Sequence, residues 1–275
     1  MTNKIKAACI QLNAGPDIAE NLKVTEGLIR EAAGQGAQLI ATPENTCFMM
    51  FPILKRLAAA PEQESHPTLQ ALQKLAAELG VWILIGSLGI KLEKRKLANR
   101  SFLINDKGEI TATYDKIHLF DVDLPGGESY RESAVIQPGN QAVVADIPGS
   151  RLGLSICYDV RFPHLYRAMS KAEAGMLAVP AAFSVPTGQA HWETLLRARA
   201  IENGAFVLAP AQSGEHEGGR STWGRSRIIG PWGDILAAIE TEVGIITAEL
   251  NLGDIEKVRA AIPALRHDRD FEIET

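Results

Sequence analysis

The sequence has little cysteine, few aromatic residues and no excess of positive charge. Its three cysteines, Cys9, Cys47 and Cys157, are odd in number and widely separated, a spacing that fits neither a disulfide framework nor a zinc site. Such cysteine usage is typical of a reducing compartment and predicts a cytoplasmic location. Because the formal net charge is −5 at pH 7, the sequence also predicts no nucleic-acid partner.

Long hydrophobic runs are missing as well. No segment reaches the roughly 18 apolar residues of a membrane span, and the amino-terminal residues lack an apolar core of signal-peptide length. We therefore expect neither membrane association nor export. What the sequence does contain is 46% hydrophobic and 22% charged residues over 275 positions, a balance that indicates a globular protein with a sizeable core.

Strands and helices alternate along the chain. A strand at 4–12, a helix at 18–33 with Asp17 as its predicted N-cap, and a strand at 37–42 form a β-α-β opening. Further helices are predicted at 53–60, 67–79, 191–203 and 252–262 and after Pro163, and further strands at 81–87, 98–104, 109–114, 142–147, 152–156, 175–179, 205–209, 225–229, 235–239 and 243–249. Residues 120–140 are predicted to be a long loop. Since no composition break marks a linker, we predict one α/β domain over residues 1–275, with two stacked sheets and helices outside.

Three ionisable residues each follow the end of a predicted strand. They are Glu44, Lys116 and Cys157, and packed strands can bring their ends together at one rim. A carboxylate can take the proton of a thiol whose pKa is normally about 8.5, and the thiolate can attack an amide carbonyl. An ammonium group and a backbone N–H such as that of Tyr158 can then hold the oxyanion. This pattern predicts nucleophilic catalysis by Cys157.

Each of these residues also has a purely structural interpretation. A free cysteine is most often a small buried hydrophobe. Glu44 can be a solvated turn residue after Pro43, and Lys116 can simply flank a strand. Composition and spacing alone do not decide between the two interpretations.

Three segments resemble the signature blocks of the nitrilase superfamily of carbon–nitrogen hydrolases, in that family's order. They are the segments 42–45 (TPEN), 114–119 (YDKIHL) and 153–163 (GLSICYDVRFP), and the resemblance extends over residues 6–271. It implies a four-layer α-β-β-α sandwich, no metal, no organic cofactor, and a homodimer or higher homo-oligomer. It also implies that Glu44 is the general base and acid, Lys116 the oxyanion stabiliser and Cys157 the nucleophile.

Many members of this superfamily have a second glutamate beside the lysine, in a loop that leads to a Pro-Gly pair. Glu132 lies six residues before Pro138-Gly139 and fits that position. Glu128 is the lower-ranked competitor.

Within the superfamily, the sequence is most similar to the Nit branch. The similar segments are 116–123 leading into Pro125-Gly126, 182–183, 187–188, 190–193 and 197–202. This branch contains amidases of deaminated glutathione and ω-amidases that act on α-ketoglutaramate. Residues 195–202 and 209–212 look more like the former group. The resemblance therefore implies a small-molecule amide substrate that carries a carboxylate, with deaminated glutathione ranked first.

A substrate carboxylate needs a cationic partner, and arginine binds carboxylates through two parallel hydrogen bonds. Arg161 is the predicted partner, although an ion pair with Asp159 or Glu193 explains it equally well. Phe183 and Thr187 are placed in a loop after the strand 175–179. They are predicted to line the pocket or else to serve packing and capping.

Other functions stay open at this point. A cysteine–histidine hydrolase would use His118, His164 or His191, a nitrilase proper would act on a nitrile, and a non-catalytic member would only bind. A metalloenzyme or a dinucleotide enzyme has no support, because no His-x-x-x-His, paired-cysteine or Gly-x-Gly-x-x-Gly pattern occurs where it would be needed.

Overall fold

The structure is a computed structural model that describes residues 4–50, 53–93, 95–124 and 127–274. Its strands, in chain order, are β1 (Lys4–Gln11), β2 (Leu39–Ala41), β3 (Trp82–Lys91), β4 (Leu97–Ile104), β5 (Ile110–Asp115), β6 (Asp121–Asp123), β7 (Ser129–Arg131), β8 (Val143–Ile147), β9 (Ser150–Leu154), β10 (Met176–Ala178), β11 (Phe206–Ala209), β12 (Ser213–His216), β13 (Arg220–Trp223), β14 (Arg227–Ile229), β15 (Ile235–Ala238) and β16 (Gly244–Asn251). Its α-helices are α1 (Ile18–Gly34), α2 (Leu54–Ala59), α3 (Pro67–Leu79), α4 (Pro163–Lys171), α5 (Val185–Asn203) and α6 (Gly253–Ala261).

Two six-stranded sheets form the centre of the molecule. The first has the order β16-β1-β2-β3-β4-β5, and the second has the order β15-β14-β11-β10-β9-β8. Each sheet has three adjacent parallel strands at its middle, β1-β2-β3 in one and β9-β10-β11 in the other, with antiparallel strands on either side. The parallel strands follow from the β-α-β units that the sequence predicts.

The core lies between the two sheets and beneath the helices. Leu39 and Leu84 of the first sheet share one apolar cluster with Leu154 and Leu177 of the second. On the outer face of the first sheet, a second cluster joins β-strand residues to helices α1 and α3, and Ile29 is one of its fully buried members. Helices α4 and α5 cover the second sheet, so the layers are α-β-β-α, as predicted.

Local sequence signals explain where the predicted helices begin and end. The Asp17 carboxylate accepts hydrogen bonds from the backbone N–H groups of Ala19 and Glu20 at 2.8 and 3.0 Å, which confirms the N-cap of α1. Helix α3 starts at Pro67 and stops at Gly80, whose φ of 65° ends it in the left-handed region.

Two predictions about individual elements were wrong, and one hairpin was not predicted. The loop predicted at 120–140 contains the hairpin β6–β7 and a 3-10 turn at Glu132–Ala134, held by polar pairs such as Arg131–Asp123 rather than by apolar alternation. Helix α5 starts at Val185, six residues earlier than predicted, with a proline in its first turn. The hairpin β12–β13 was not predicted, since its two short strands are mostly polar and show no apolar alternation. Pro125-Gly126 lies outside the described residues.

No helix in the described ranges is both long enough and apolar enough to cross a membrane. That residues 1–275 form a single domain stays a prediction.

Candidate active site

A cavity of about 430 Å³ opens at the strand ends of the two large sheets. The side chains of Glu44, Lys116, Glu132 and Cys157 all contribute to its wall. Cavities of this volume are typical of small-molecule sites. The structure thus brings three residues that are far apart in the sequence into one enclosed space, together with the predicted second glutamate.

The loops that carry these residues are held by hydrogen bonds to neighbouring strands. The backbone N–H of Thr42 donates to the Leu84 carbonyl at 2.9 Å, two residues before Glu44. The N–H of Lys116 donates to the Asn99 carbonyl at 3.0 Å, and that of Cys157 donates to the Pro180 carbonyl at 2.8 Å. Because the ladder bonds continue past the formal strand ends, the three side chains leave rigid backbone.

Lys116 lies between two carboxylates. Its Nζ is 2.9 Å from Glu44 Oε1, and 2.9 and 3.2 Å from the two carboxylate oxygens of Glu132. The Asn99 amide donates to Glu44 at 2.8 Å and to Glu132 at 3.1 Å, so it links the same two carboxylates. The second oxygen of Glu44 accepts from the Ala182 backbone N–H at 2.9 Å. The site therefore satisfies its buried charges with one another and with neutral donors.

In this site, burial and charge pairing shift the pKa values of Glu44 and Lys116 in opposite directions. Burial alone would raise the pKa of Glu44, but the charge and hydrogen bond of Lys116, with hydrogen bonds from Asn99 and Cys157, lower it to about 2. Burial alone would lower the pKa of Lys116, but the charges of Glu132 and Glu44 raise it above its usual value. At neutral pH the Glu44 carboxylate and the Lys116 ammonium group are consequently both ionised.

Cys157 occupies an unusual backbone position. It opens a 3-10 turn at Cys157–Arg161 that follows β9, and its φ of 50° lies in the left-handed region. Such strain costs about 1–3 kcal/mol and is concentrated at functional sites. Burial and the charge of Glu44 raise the pKa of the Cys157 thiol, which hydrogen-bonds to the Glu44 carboxylate. The thiol is therefore neutral, and a proton acceptor is in contact with it.

Asp159 joins the loop of Lys116 to the loop of Cys157, a role that sequence reasoning missed. Its carboxylate accepts from the backbone N–H of His118 at 3.1 Å, from the Tyr114 hydroxyl at 2.7 Å and from the Ile156 N–H at 2.8 Å. It also contacts His118 Nδ1 at 2.7 Å. The spacing of Tyr114 and His118 around Lys116 could have indicated a shared partner, but not which residue it is.

The two glutamate candidates occupy different environments. Glu132 is 8% exposed and contacts Lys116, and its second oxygen also accepts from the Phe120 N–H at 2.7 Å. Glu128 is exposed and contacts the Tyr130 hydroxyl at 2.7 Å. The geometry thus favours Glu132 over Glu128, in the order that the sequence predicts.

Of the three predicted substrate contacts, two line the cavity and one does not. Phe183 and Thr187 line the cavity, although Thr187 lies in the first turn of α5 and not in a loop, and its hydroxyl bonds to Ser184 at 2.7 Å. Arg161 is not part of the wall. Its guanidinium lies over the rings of Tyr158 and Phe183, 5.8 and 5.2 Å from their centroids.

The alternative interpretation of Arg161 as a residue ion-paired with Asp159 or Glu193 was wrong. Its hydrogen-bonding neighbour among the described residues is His191, at 3.3 Å. Asp159 is occupied by His118, and Glu193 lies 3.5 Å from Arg227. The reason is tertiary, since proximity in sequence and opposite charge do not determine which side chains face each other.

Three arginines that the sequence reasoning did not select do line the cavity. They are Arg56 of α2, Arg131 of β7 and Arg220 of β13. Arg131 is paired with Asp123 at 2.8 Å. Each lies in a segment for which the sequence predicts a loop or only a short element. Arg56 follows the apolar residues 47–54, which is only a weak signal, and Arg131 and Arg220 lie in polar segments that give none.

No cluster of three or more His, Cys, Asp or Glu side chains suited to a metal occurs in residues 4–50, 53–93, 95–124 and 127–274. The absence of a metal and of an organic cofactor stays a prediction. The described residues of the cavity supply a thiol, a base and an ammonium group directly, which is a set able to carry out acyl transfer.

Comparison with known proteins identifies a family. A family model described as Carbon-nitrogen hydrolase matches residues 6–260. The chain is 43% identical to the deaminated glutathione amidase of Synechocystis sp. over 265 residues, which cover 95% of this chain and 97% of that protein. It is 34% identical to the omega-amidase NIT2 of Bos taurus over 271 residues, which cover 98% of this chain and 97% of that protein.

Solved structures share the architecture. The C. elegans NitFhit protein matches with a TM-score of 0.90 at 33% identity, over 98% of this chain and 66% of that protein. A glutamate-to-glutamine mutant of the amidase from Nesterenkonia sp. AN1 matches with a TM-score of 0.80 at 28% identity, over 96% of each chain. That mutant carries the acetamide moiety of fluoroacetamide covalently on its active-site cysteine.

Proposed function

The chain belongs to the carbon–nitrogen hydrolase family, and we propose that it is an amidase that cleaves a linear, carboxylate-bearing amide through a thioester on Cys157. One observation carries the proposal. Glu44, Lys116 and Cys157 meet in the wall of a single cavity, where the Glu44 carboxylate accepts a hydrogen bond from Lys116 at 2.9 Å and its charge raises the pKa of the Cys157 thiol. Glu132 is the proposed second glutamate, which holds Lys116 in place.

Acylation begins from a neutral thiol and an ionised carboxylate. As the sulfur of Cys157 bonds to the amide carbonyl carbon, its proton passes to Glu44 and an electron pair moves from the C=O bond to oxygen. Full negative charge does not have to rest on sulfur beforehand, which matters because burial and Glu44 raise the pKa of the thiol. The developing charge appears on the carbonyl oxygen instead.

Lys116 and the backbone N–H of Tyr158 are proposed to stabilise that oxyanion. When Glu44 takes up the thiol proton, its carboxyl becomes neutral and attracts the Lys116 ammonium less strongly. Lys116 can then direct its charge to the oxyanion, while Glu132 keeps hold of it through contacts of 2.9 and 3.2 Å. Glu132 thus keeps Lys116 in position while Glu44 is protonated.

The remaining steps restore the neutral thiol and the ionised carboxylate, with the thiol proton leaving on the amine and a proton from water replacing it. Glu44 donates its proton to the departing amine or ammonia as the carbonyl re-forms, which leaves the thioester on Cys157. A water molecule then attacks the thioester and gives a proton to Glu44. When the second oxyanion collapses, the carboxylic acid product leaves and the sulfur regains a proton from Glu44.

Deaminated glutathione is the proposed substrate, and α-ketoglutaramate is the alternative. The first is supported by a relative named for it at 43% identity, and the second by an omega-amidase at 34% identity. Steady-state kinetics on both amides, with a nitrile as a third arm, distinguish the candidates. We expect the higher kcat/KM for deaminated glutathione. The reverse order would make the protein an ω-amidase, and turnover of the nitrile alone would make it a nitrilase.

The decisive variant for the chemistry is Cys157→Ala, which should lose amide hydrolysis and keep the fold. Cys9→Ala is the matched control, since Cys9 is also buried but lies in β1 and is not part of the cavity wall. Intact-mass analysis of the wild-type protein during turnover should show the added acyl group. Full activity of Cys157→Ala would contradict the proposal.

We further propose that the protein is a cytoplasmic homodimer or a higher homo-oligomer. The family resemblance supports the oligomer, as do the exposed apolar side chains of Ile201 and Trp232, which are 52% and 60% exposed. Light scattering after size-exclusion chromatography would measure the state, and a monomer at micromolar concentration would contradict it.

A further inference from the structure

Arg56 is a buried cation in the wall of the cavity. The residue is only 7% exposed, and its guanidinium lies 5.7 Å from the centroid of the Phe48 ring. It donates one hydrogen bond to Asn45 Oδ1, while its Nε has no partner among the residues that the structure describes. Among these described residues, no carboxylate oxygen lies within 4 Å of the guanidinium nitrogens of Arg56.

A buried guanidinium without an ion-pair partner is unusual, because desolvated charges in proteins are normally paired. Burial lowers the pKa of Arg56, and the more distant charges of Glu132 and Glu44 offset this only in part. Lys116 contacts both glutamates directly and offsets one of their two negative charges, whereas neither carboxylate contacts Arg56. The fold therefore leaves the positive charge of Arg56 available to an anion in the cavity.

Arg220 places a second positive charge close to the first. Its side chain lines the same cavity, its Nη2 donates to the Ala182 carbonyl at 3.0 Å, and its guanidinium lies 4.8 Å from the centroid of the Tyr130 ring. The charge of Arg220 lowers the pKa of Arg56. An anion bound near both guanidinium groups would relieve this repulsion.

We propose that Arg56, assisted by Arg220, binds the carboxylate on the acyl half of the substrate and makes the enzyme prefer amides of dicarboxylic acids to neutral amides. This inference rests on the proposed function. It replaces the sequence-based assignment of this role to Arg161, which lies outside the cavity wall.

The chemistry of the two candidate substrates fits one shared contact. Deaminated glutathione and α-ketoglutaramate both contain the 2-oxoglutaryl group, whose free carboxylate lies at the far end of the acyl chain from the scissile carbonyl. They differ only in the leaving group, which is cysteinylglycine or ammonia. Arg56 would therefore select the acyl group, and the rest of the cavity would select the amine.

The test compares glutaramate with 5-methylhexanamide, in which an isopropyl group replaces the carboxylate. We expect the wild-type protein to prefer glutaramate, and Arg56→Gln to reduce that preference, measured as the ratio of the two kcat/KM values, by about 10- to 100-fold. The change should come mainly from the KM for glutaramate, and Arg56→Lys should restore part of it. Lys55→Gln removes an exposed charge from the same helix and should leave the ratio unchanged.

An equal loss for both amides in Arg56→Gln, or an unchanged ratio, would overturn the inference. A measurement on the wild-type protein covers the case in which that variant does not fold. Glutarate should inhibit at a concentration at least about 10-fold lower than 5-methylhexanoate, and equal inhibition would also overturn the inference. If the wild-type protein hydrolyses no amide at all, the proposed function fails. A preference for glutaramate that does not depend on Arg56 leaves that function intact and overturns only this inference.

Discussion

The cavity has two walls that are built in different ways. The inner wall consists of Glu44, Lys116 and Cys157, which leave the ends of strands in the two large sheets. The outer wall comes mostly from short elements, which are helix α2, the hairpin β6–β7 and the hairpin β12–β13, and is completed by Phe183 and the first turn of α5. Inner-wall backbone is fixed by hydrogen bonds to neighbouring strands, whereas the outer wall depends on local pairs such as Arg131–Asp123.

This difference is consistent with separate roles, in which the inner wall holds the reacting groups and the outer wall recognises the substrate. Reacting groups have to stay within fractions of an ångström of one geometry, which a sheet end can ensure. Groups that recognise a substrate can lie on short elements, where substitutions and insertions disturb the core least. Glu132 is the one residue that connects the two, because it follows β7 in the outer wall and contacts Lys116 in the inner wall.

The largest expected effect is that of Lys116→Met in the inner wall. Without the ammonium, the carboxylates of Glu44 and Glu132 face each other uncompensated, and breaking a buried ion pair costs about 3–5 kcal/mol. We expect kcat/KM to fall by at least about 10³-fold because the oxyanion loses its cation. Denaturant unfolding and amide kinetics measure the two effects. Lys107→Met, in the exposed β4–β5 turn, should change neither, and wild-type activity in Lys116→Met would contradict the assignment.

Glu132→Gln tests whether the connecting residue supports the inner wall. The amide keeps the size of the side chain but loses the charge that faces Lys116, so we expect kcat to fall by about 10²-fold. Steady-state kinetics of Glu128→Gln supply the control, with an expected change of less than about twofold because that residue is exposed. If Glu128→Gln were the more damaging variant, the order of the two candidates would be reversed.

Gly86→Ala tests how rigid the inner wall has to be. A Cβ at this position would lie 2.0 Å from the Thr42 carbonyl oxygen and 2.6 Å from the Pro180 Cβ. These residues precede Glu44 and hold the backbone of Cys157, so both strand ends must shift. We expect a loss of about 1–3 kcal/mol in unfolding free energy and about tenfold in kcat.

The control for Gly86→Ala is Gly27→Ala in helix α1, where an added Cβ meets nothing within 4 Å. This change should stabilise the protein by about 0.5–1 kcal/mol and leave activity unchanged. Unaltered kinetics in Gly86→Ala would show that the inner wall tolerates movement and would weaken the contrast between the walls.

The smallest effect concerns His66, which lies in neither wall. Burial lowers its pKa to about 4 from a usual value of 6.5. Between these values the unfolded chain binds a proton that the folded chain does not, so folding stability falls as the pH drops through this window. We expect a loss of about 2 kcal/mol between pH 7 and pH 5, measured by urea unfolding.

His66→Phe should remove this acid sensitivity, while His267→Phe, at an exposed position, should retain it. The pKa of Glu44 is held at about 2, so its carboxylate stays ionised across the same window. Equal acid sensitivity in both variants would place the titrating group elsewhere.

The inner wall could be predicted from the sequence, and most of the outer wall could not. Each inner-wall residue follows a strand with a clear apolar pattern, and each lies in a motif of consecutive residues. Arg56 and Arg220 carry no such local sign, because their roles depend on what surrounds a guanidinium after folding. Arg161 is the opposite case, because a position four residues after Cys157 did not make it part of the cavity wall.

By itself, the sequence determined the alternation of strands and helices and the two layered sheets, through hydrophobic periodicity and capping, which act over a few positions. The three candidate reacting groups came from the resemblance of segments 42–45, 114–119 and 153–163 to the nitrilase superfamily. Only the tertiary structure decided which charges are paired, that Asp159 links two loops, and that Arg56 lies buried with no described carboxylate within 4 Å of its guanidinium. Pairing and burial depend on distances between residues remote in sequence, and those distances exist only once the sheets have packed.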